Sequence, residues 1–182
     1  MNKNRALLLD RDGVINLDHA YVGTIDRFEF MPGLFPFLRA VRDLGYRIAI
    51  LTNQAGVARG KYSENDYASL TAYMLAELRR EQIPVELVLA CFEHPDGTVP
   101  AYTRESFWRK PNPGMVLEAV RRLDLDPATS AFLGDNLRDM QAAQSGGIGH
   151  CLWLTAEKAA APAGVTLVKD FSEALKICLQ SH

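Results

Sequence analysis

Residues 7–13 read Leu7-Leu8-Leu9-Asp10-Arg11-Asp12-Gly13. An apolar run ends abruptly in two carboxylates two positions apart, followed by a glycine. Side chains on a strand alternate with period two, so Asp10 and Asp12 face the same way. They would project together from the strand's carboxyl end, the edge of an open α/β sheet where ligands bind. One carboxylate can attack a substrate while the other moves protons, and together they can hold a divalent cation. The same Asp-x-Asp-Gly pattern occurs in calcium loops and plain turns, so its meaning depends on what surrounds it.

Strand-like and helix-like stretches alternate along the chain. Residues 6–10 read as a buried strand, followed by a long connection over 11–32. Apolar Leu34, Phe37, Leu38, Val41 and Leu44 recur at helical spacing, and Gly45 fits the stop just beyond the helix. Residues 46–52 form a second strand, and 53–62 a glycine-containing loop. Ser63 then caps a helix reaching about Gln82, with Asp66 at the acidic position of a capping box. A third strand over 85–91 leads into a polar and aromatic loop at 92–111. Asn112-Pro113 reads as an N-cap and first helical residue, opening a helix that ends near Leu123. Residues 130–133 form a strand running into Gly134-Asp135. A helix over 137–145, short strands over 150–154 and 165–168, and a helix over 170–179 complete the pattern. The Ala/Pro/Gly-rich stretch 156–164 reads as a surface loop. This alternation implies one α/β domain over 1–182, a Rossmann-like, mostly parallel sheet with helices on both faces.

The bulk composition narrows the classes of function. A hydrophobic fraction of 48% and a charged fraction of 23% suit a globular fold. The net charge of −2 lacks the basic footprint of general nucleic-acid binding. No apolar run reaches membrane-spanning length, and the N-terminus carries no signal-peptide core. Cys91, Cys151 and Cys178 are widely spaced and odd in number, which suits reduced thiols and a cytoplasmic location.

Three further elements fall at strand ends: Thr52-Asn53, Arg109-Lys110-Pro111, and Gly134-Asp135-Asn136 with Asp139 four residues beyond Asp135. Taken singly, Thr52 is an ordinary strand residue, Lys110 a loop charge, and Asp135 a helix cap. Together with Asp10 and Asp12, and in this order, they resemble the four motifs of the haloacid dehalogenase superfamily of phosphotransferases. The resemblance covers nearly the whole chain. It implies Mg²⁺ held by the Asp10 carboxylate, the Asp12 backbone carbonyl and Asp135. It implies Asp10 as the nucleophile that becomes an aspartyl-phosphate, and Asp12 as the acid and base. Thr52 and Lys110 would bind non-bridging phosphoryl oxygens. Asp139 would orient neighbours or lie on the helix surface. Neither gap between motifs has room for a cap domain, so only loops would cover the site.

Those loops narrow the resemblance. Asp10–Asn16, Asp18-His19-Ala20-Tyr21-Val22, Thr52–Gly60 and Arg109–Met115 are closely similar to the D-glycero-D-manno-heptose 1,7-bisphosphate phosphatases, whose relatives are the histidinol-phosphate phosphatases. The resemblance implies substrate contacts from Arg11, Asp18, His19, Ala20, Tyr21, Asn53, Gln54, Arg59, Arg109 and Asn136. A bisphosphate needs a second anion site, and an arginine such as Arg109 can clamp phosphate with two parallel hydrogen bonds. Arg59, Lys61 and Arg104 could add positive field, Arg104 reading rather as a solvated charge. Many relatives bind structural zinc in the long loop; here Cys91, Glu93, Ser106 and Trp108 stand at the ligand positions, with His94 one residue displaced. A closed zinc site needs four good ligands, so zinc is expected to be absent. The reaction expected from the resemblance is hydrolysis of the heptose C7 phosphate by a monomer. Histidinol phosphate is the alternative substrate. A phospho-accepting receiver domain is the alternative class, but Asp12 equips the site to turn over.

Overall fold

The computed structural model of the protein describes residues 4–156 and 160–180. Met1, Asn2 and Lys3, and positions 157–159 of the expected surface loop, lie outside the described residues. Six strands, β1 (Ala6–Leu9), β2 (Arg47–Asn53), β3 (Leu87–Cys91), β4 (Ala131–Gly134), β5 (His150–Leu154) and β6 (Val165–Val168), form one sheet. Every pairing is parallel, and the order is β3-β2-β1-β4-β5-β6. The chain runs outward from β1 to β3, then crosses back to place β4 on the other side of β1. This reversal leaves a crevice beyond the carboxyl ends of β1 and β4.

Among the described residues, five helices cover the sheet: α1 (Leu34–Asp43), α2 (Glu64–Arg80), α3 (Gly114–Arg122), α4 (Leu137–Ser145) and α5 (Phe171–Gln180). Strand alternation divides the core between the two faces. Leu7 and Leu9 of β1 and Ile48 and Ile50 of β2 pack with α1, α2 and α5. Ala6, Leu8, Ala49 and Leu51 pack with α3 and α4. Phe37 and Phe171 stack between α1 and α5 with ring centroids 4.9 Å apart. Parallel strands buried on both faces read as continuous apolar runs, which is why Leu7-Leu8-Leu9 carries no polar alternation.

Local signals set most boundaries. Ser63 and Asp66 form both halves of the expected capping box. Gly45, with φ of 82°, supplies the left-handed residue beyond α1. One start differs from expectation. Pro113, not Asn112, is the N-cap of α3. The Asn112 side chain instead donates to the Ser106 carbonyl, and the Gly114 N–H bonds the Phe107 carbonyl. The preceding loop has taken the groups that would have formed the cap. Among the described residues, the connections over the site contain only short 3₁₀ turns, at Ile25–Arg27 and Pro100–Tyr102.

Candidate active site

Asp10 lies one residue past β1, where its N–H still bonds the Leu133 carbonyl of β4 at 3.1 Å. Asp135 lies one residue past β4, its carbonyl held by the Trp153 indole N–H at 2.9 Å. Gly13 has φ of 79°, and a Cβ there would lie 2.1 Å from an Asp135 carboxylate oxygen. The glycine is therefore required for the turn and for the approach of Asp135.

Carboxylate oxygens of Asp10, Asp135 and Asp139 lie within 4.8 Å of one another. Burial pushes Asp10 up to about 7, Lys110 opposing and the neighbouring carboxylates reinforcing. Burial and Asp139 likewise push Asp135 up to about 6. Asp139 has both oxygens engaged. One lies 2.7 Å from Lys110 Nζ, and the other accepts the Asn136 N–H at 3.0 Å as part of a capping box. This leaves Asp10 and Asp135 as the carboxylates open to a cation. Hard oxygen donors crowded against their own charge fit Mg²⁺.

Asp139 is fully buried, not on the helix surface. It shares Lys110 with Asp10, whose Oδ1 lies 2.9 Å from Nζ, and the same ammonium donates to the Leu51 carbonyl at 2.8 Å. Burial alone would lower the Lys110 pKa, but Asp10 and Asp139 outweigh it and hold the ammonium above its ordinary value. Asn53 anchors this lysine from the end of β2. Its amide donates to the Lys110 carbonyl at 2.9 Å and accepts the Lys110 N–H at 3.1 Å.

Asp12 faces the cleft, whereas Arg11 between the two acids turns inward. The Arg11 guanidinium donates to Asp12 at 2.8 Å and to the Val22 carbonyl at 2.6 Å. Asn16 and Gln54 donate to the same carboxylate at 3.0 and 2.9 Å. Gln54 also donates to Thr52 Oγ1 at 2.8 Å. Thr52, Gln54 and Arg11 are thus buried behind the acids and do not line the cleft.

The cleft encloses about 330 Å³. Asp10, Asp12 and Asp135 line it, and Arg59, Arg109 and Arg138 supply cations to it. Asp18, Ala20, Tyr21 and Asn53 also reach it, while His19 and Asn136 do not. Asn136 uses its side chain to cap α4. Ala20 and Tyr21 both have φ of 53°, a left-handed backbone unusual for residues with a Cβ. Asp18 accepts the Ala20 N–H at 2.9 Å, and Arg27 donates to the carbonyls of His19 at 2.6 Å and Ala20 at 3.2 Å. Sequence reasoning missed Arg27 and Arg138. Arg27 acts through backbone carbonyls, which leave no side-chain pattern. Arg138 stands three residues after Asp135, on the first turn of α4, and that position was the available signal.

The long loop is tied by other chemistry at the zinc positions. The Cys91 thiol lies 3.3 Å from a Glu93 carboxylate oxygen, and Arg104 pairs with Glu93 at 2.7 Å. Arg104 is therefore an anchor of the loop as well as an exposed charge. Phe92 packs edge-on between Tyr67 and Tyr102. Phe107 and Trp108 remain exposed.

The model of the haloacid dehalogenase-like hydrolases matches residues 2–147. A Burkholderia mallei D-glycero-alpha-D-manno-heptose-1,7-bisphosphate 7-phosphatase is 45% identical over 82% of this chain and 79% of its own. The Escherichia coli D-glycero-beta-D-manno-heptose-1,7-bisphosphate 7-phosphatase is 41% identical over 79% of this chain and 75% of its own. The crystal structure of D,D-heptose 1,7-bisphosphate phosphatase from B. bronchiseptica, complexed with magnesium and phosphate, superposes with a TM-score of 0.85. It is 28% identical and covers 98% of this chain and 99% of that one. With its four motifs gathered at one sheet edge and matches of this extent, the chain belongs to the haloacid dehalogenase-like hydrolases, in the branch that holds the heptose-1,7-bisphosphate 7-phosphatases.

Proposed function

We propose that this protein removes the C7 phosphate of D-glycero-D-manno-heptose 1,7-bisphosphate through an aspartyl-phosphate on Asp10. The observation that carries the reading is the polarity of the cleft. Asp10, Asp12 and Asp135 line the same cleft as Arg59, Arg109 and Arg138. A sugar with a phosphate at each end meets both needs at once.

The Asp10 and Asp135 carboxylates and the Asp12 backbone carbonyl would hold Mg²⁺. Bound there, Mg²⁺ offsets the repulsion between a carboxylate and a phosphate dianion and polarises the phosphoryl oxygens. An Asp10 oxygen attacks phosphorus, the ester P–O bond breaks, and Asp12 gives its proton to the departing sugar oxygen. Water then attacks the same phosphorus. Asp12 takes the water proton, the acyl-phosphate P–O bond breaks, and inorganic phosphate leaves with Asp10 restored. Lys110, paired with Asp10, and Thr52, linked to Asp12 through Gln54, are buried behind the acids; binding of non-bridging oxygens by either would require the phosphoryl group to reach past the cleft lining. The protein acts as a cytoplasmic monomer, without structural zinc and without a nucleic-acid or membrane partner.

Steady-state kinetics on the heptose bisphosphate, the matching 7-monophosphate and histidinol phosphate test the reading. The bisphosphate is expected to give the highest kcat/KM. Arg109→Ala should lower kcat/KM on the bisphosphate by about 10- to 100-fold, the worth of one charge-assisted phosphate contact, and affect the monophosphate far less. Equal losses on both would remove Arg109 from the second-phosphate site. A higher kcat/KM on histidinol phosphate would overturn the substrate.

A further inference from the structure

The Tyr62 ring stands between two glycines from different connections. A Cβ on Gly23 would lie 2.2 Å from the ring at Cγ and Cδ1, and one on Gly56 would lie 2.1 Å from Cε1. Gly23 belongs to the connection that carries Asp18 and Tyr21, and Gly56 to the loop after β2. The ring therefore fills a slot that exists only because both neighbours lack a side chain.

The Tyr62 hydroxyl donates to Gln54 Oε1 at 2.5 Å. Burial above all, opposed by Arg11 and reinforced by Asp12, holds this phenol above its ordinary value, so it keeps its proton. Gln54 is 1% exposed, and its Nε2 donates both to Asp12 Oδ2 and to Thr52 Oγ1. An amide can be turned over at little steric cost, and its partners decide which way it faces. Turned over, Gln54 would set its carbonyl oxygen against the Asp12 carboxylate. The acceptor-only Asp12 carboxylate opposes this, and the Tyr62 O–H supplies the donor that the buried Oε1 then needs.

We propose that Tyr62 is a positioning residue for the hydrolysis: its ring spaces the two loops over the cleft, and its hydroxyl fixes the Gln54 amide that orients Asp12 and Thr52. The proposal rests on Asp12 protonating the leaving oxygen, and the test separates the two.

Tyr62→Phe keeps the ring in its slot and removes only the hydroxyl. Its kcat/KM should fall about tenfold or more on the heptose bisphosphate, whose alkoxide needs a proton to leave. On p-nitrophenyl phosphate, whose phenolate leaves unprotonated, the loss should stay under about threefold. In a Gln54→Leu background, the further change from Tyr62→Phe should stay within about twofold, because the hydroxyl acts through that amide. A thermal melt of each variant separates lost positioning from lost folding. Equal losses on both esters, no loss on either, or independent effects of the two substitutions would overturn the proposal. A parent inert on both esters sinks the phosphatase reading and this proposal together; an active parent with an unaffected Tyr62→Phe sinks the proposal alone.

Discussion

At the scale of single residues, the carboxylate cluster stores an electrostatic cost. Asp10 ionises near 7 in the folded chain against 3.8 ordinarily, so the folded state holds this proton more tightly than the unfolded one. The group favours folding at low pH, and that contribution is lost as pH rises from about 4 through about 7. Asp135, pushed up to about 6, acts in the same direction. Metal-free protein should therefore melt at a lower temperature at pH 8 than at pH 5. Mg²⁺ should raise the melting temperature more at pH 8, because it binds the ionised pair. Asp10→Asn should flatten the metal-free pH dependence and reduce turnover by on the order of 10⁴-fold or more, as loss of a nucleophile does. Asp139 makes a second case. Asp139→Asn would leave the buried Lys110 with Asp10 as its remaining carboxylate partner, and should cost about 3 kcal/mol in chemical denaturation. The sequence offered Asp139 only as a residue that orients neighbours or lies on the helix surface. That the same acid reaches a lysine twenty-nine residues upstream depends on tertiary packing, which local spacing does not encode.

At the scale of elements, hydrophobic periodicity and cap chemistry located strands and helices to within about two residues. Where they misplaced the start of α3, the Ser106 and Phe107 carbonyls had drawn in the local donors. The candidate acids were legible because they end strands, and a strand end points one way. The loops were less so. Gln54 stands two residues after Thr52 and reads as a cleft residue, yet Asp12 and Thr52, accepting from its amide, hold it inside. The loop over residues 18–21 is shaped by Arg27 gripping consecutive carbonyls around two left-handed residues. Arg27→Ala should release it, leaving the substrate to meet the ordering cost. A KM increase of about 3- to 10-fold with kcat little changed is expected from steady-state kinetics.

At the scale of the whole molecule, the candidate site residues come from the segments after β1, β2, β3 and β4 yet arrive at one sheet edge. The apolar faces hold the strands, and the carboxyl ends are left free for chemistry. β1 is the strand most protected by this arrangement: all four of its residues are 0% exposed, and it is paired on both sides. β6 lies at an edge and exposes Thr166. Local openings that fray an edge strand need not disturb a central one. In deuterium exchange, the amides of β1 should be the last to exchange, and those of β6 among the first of the sheet. Asp10, the proposed nucleophile, is thus tethered to the segment expected to open last. Its aim is as durable as the fold itself, and losing the attack geometry through partial melting requires reaching the middle of the molecule first.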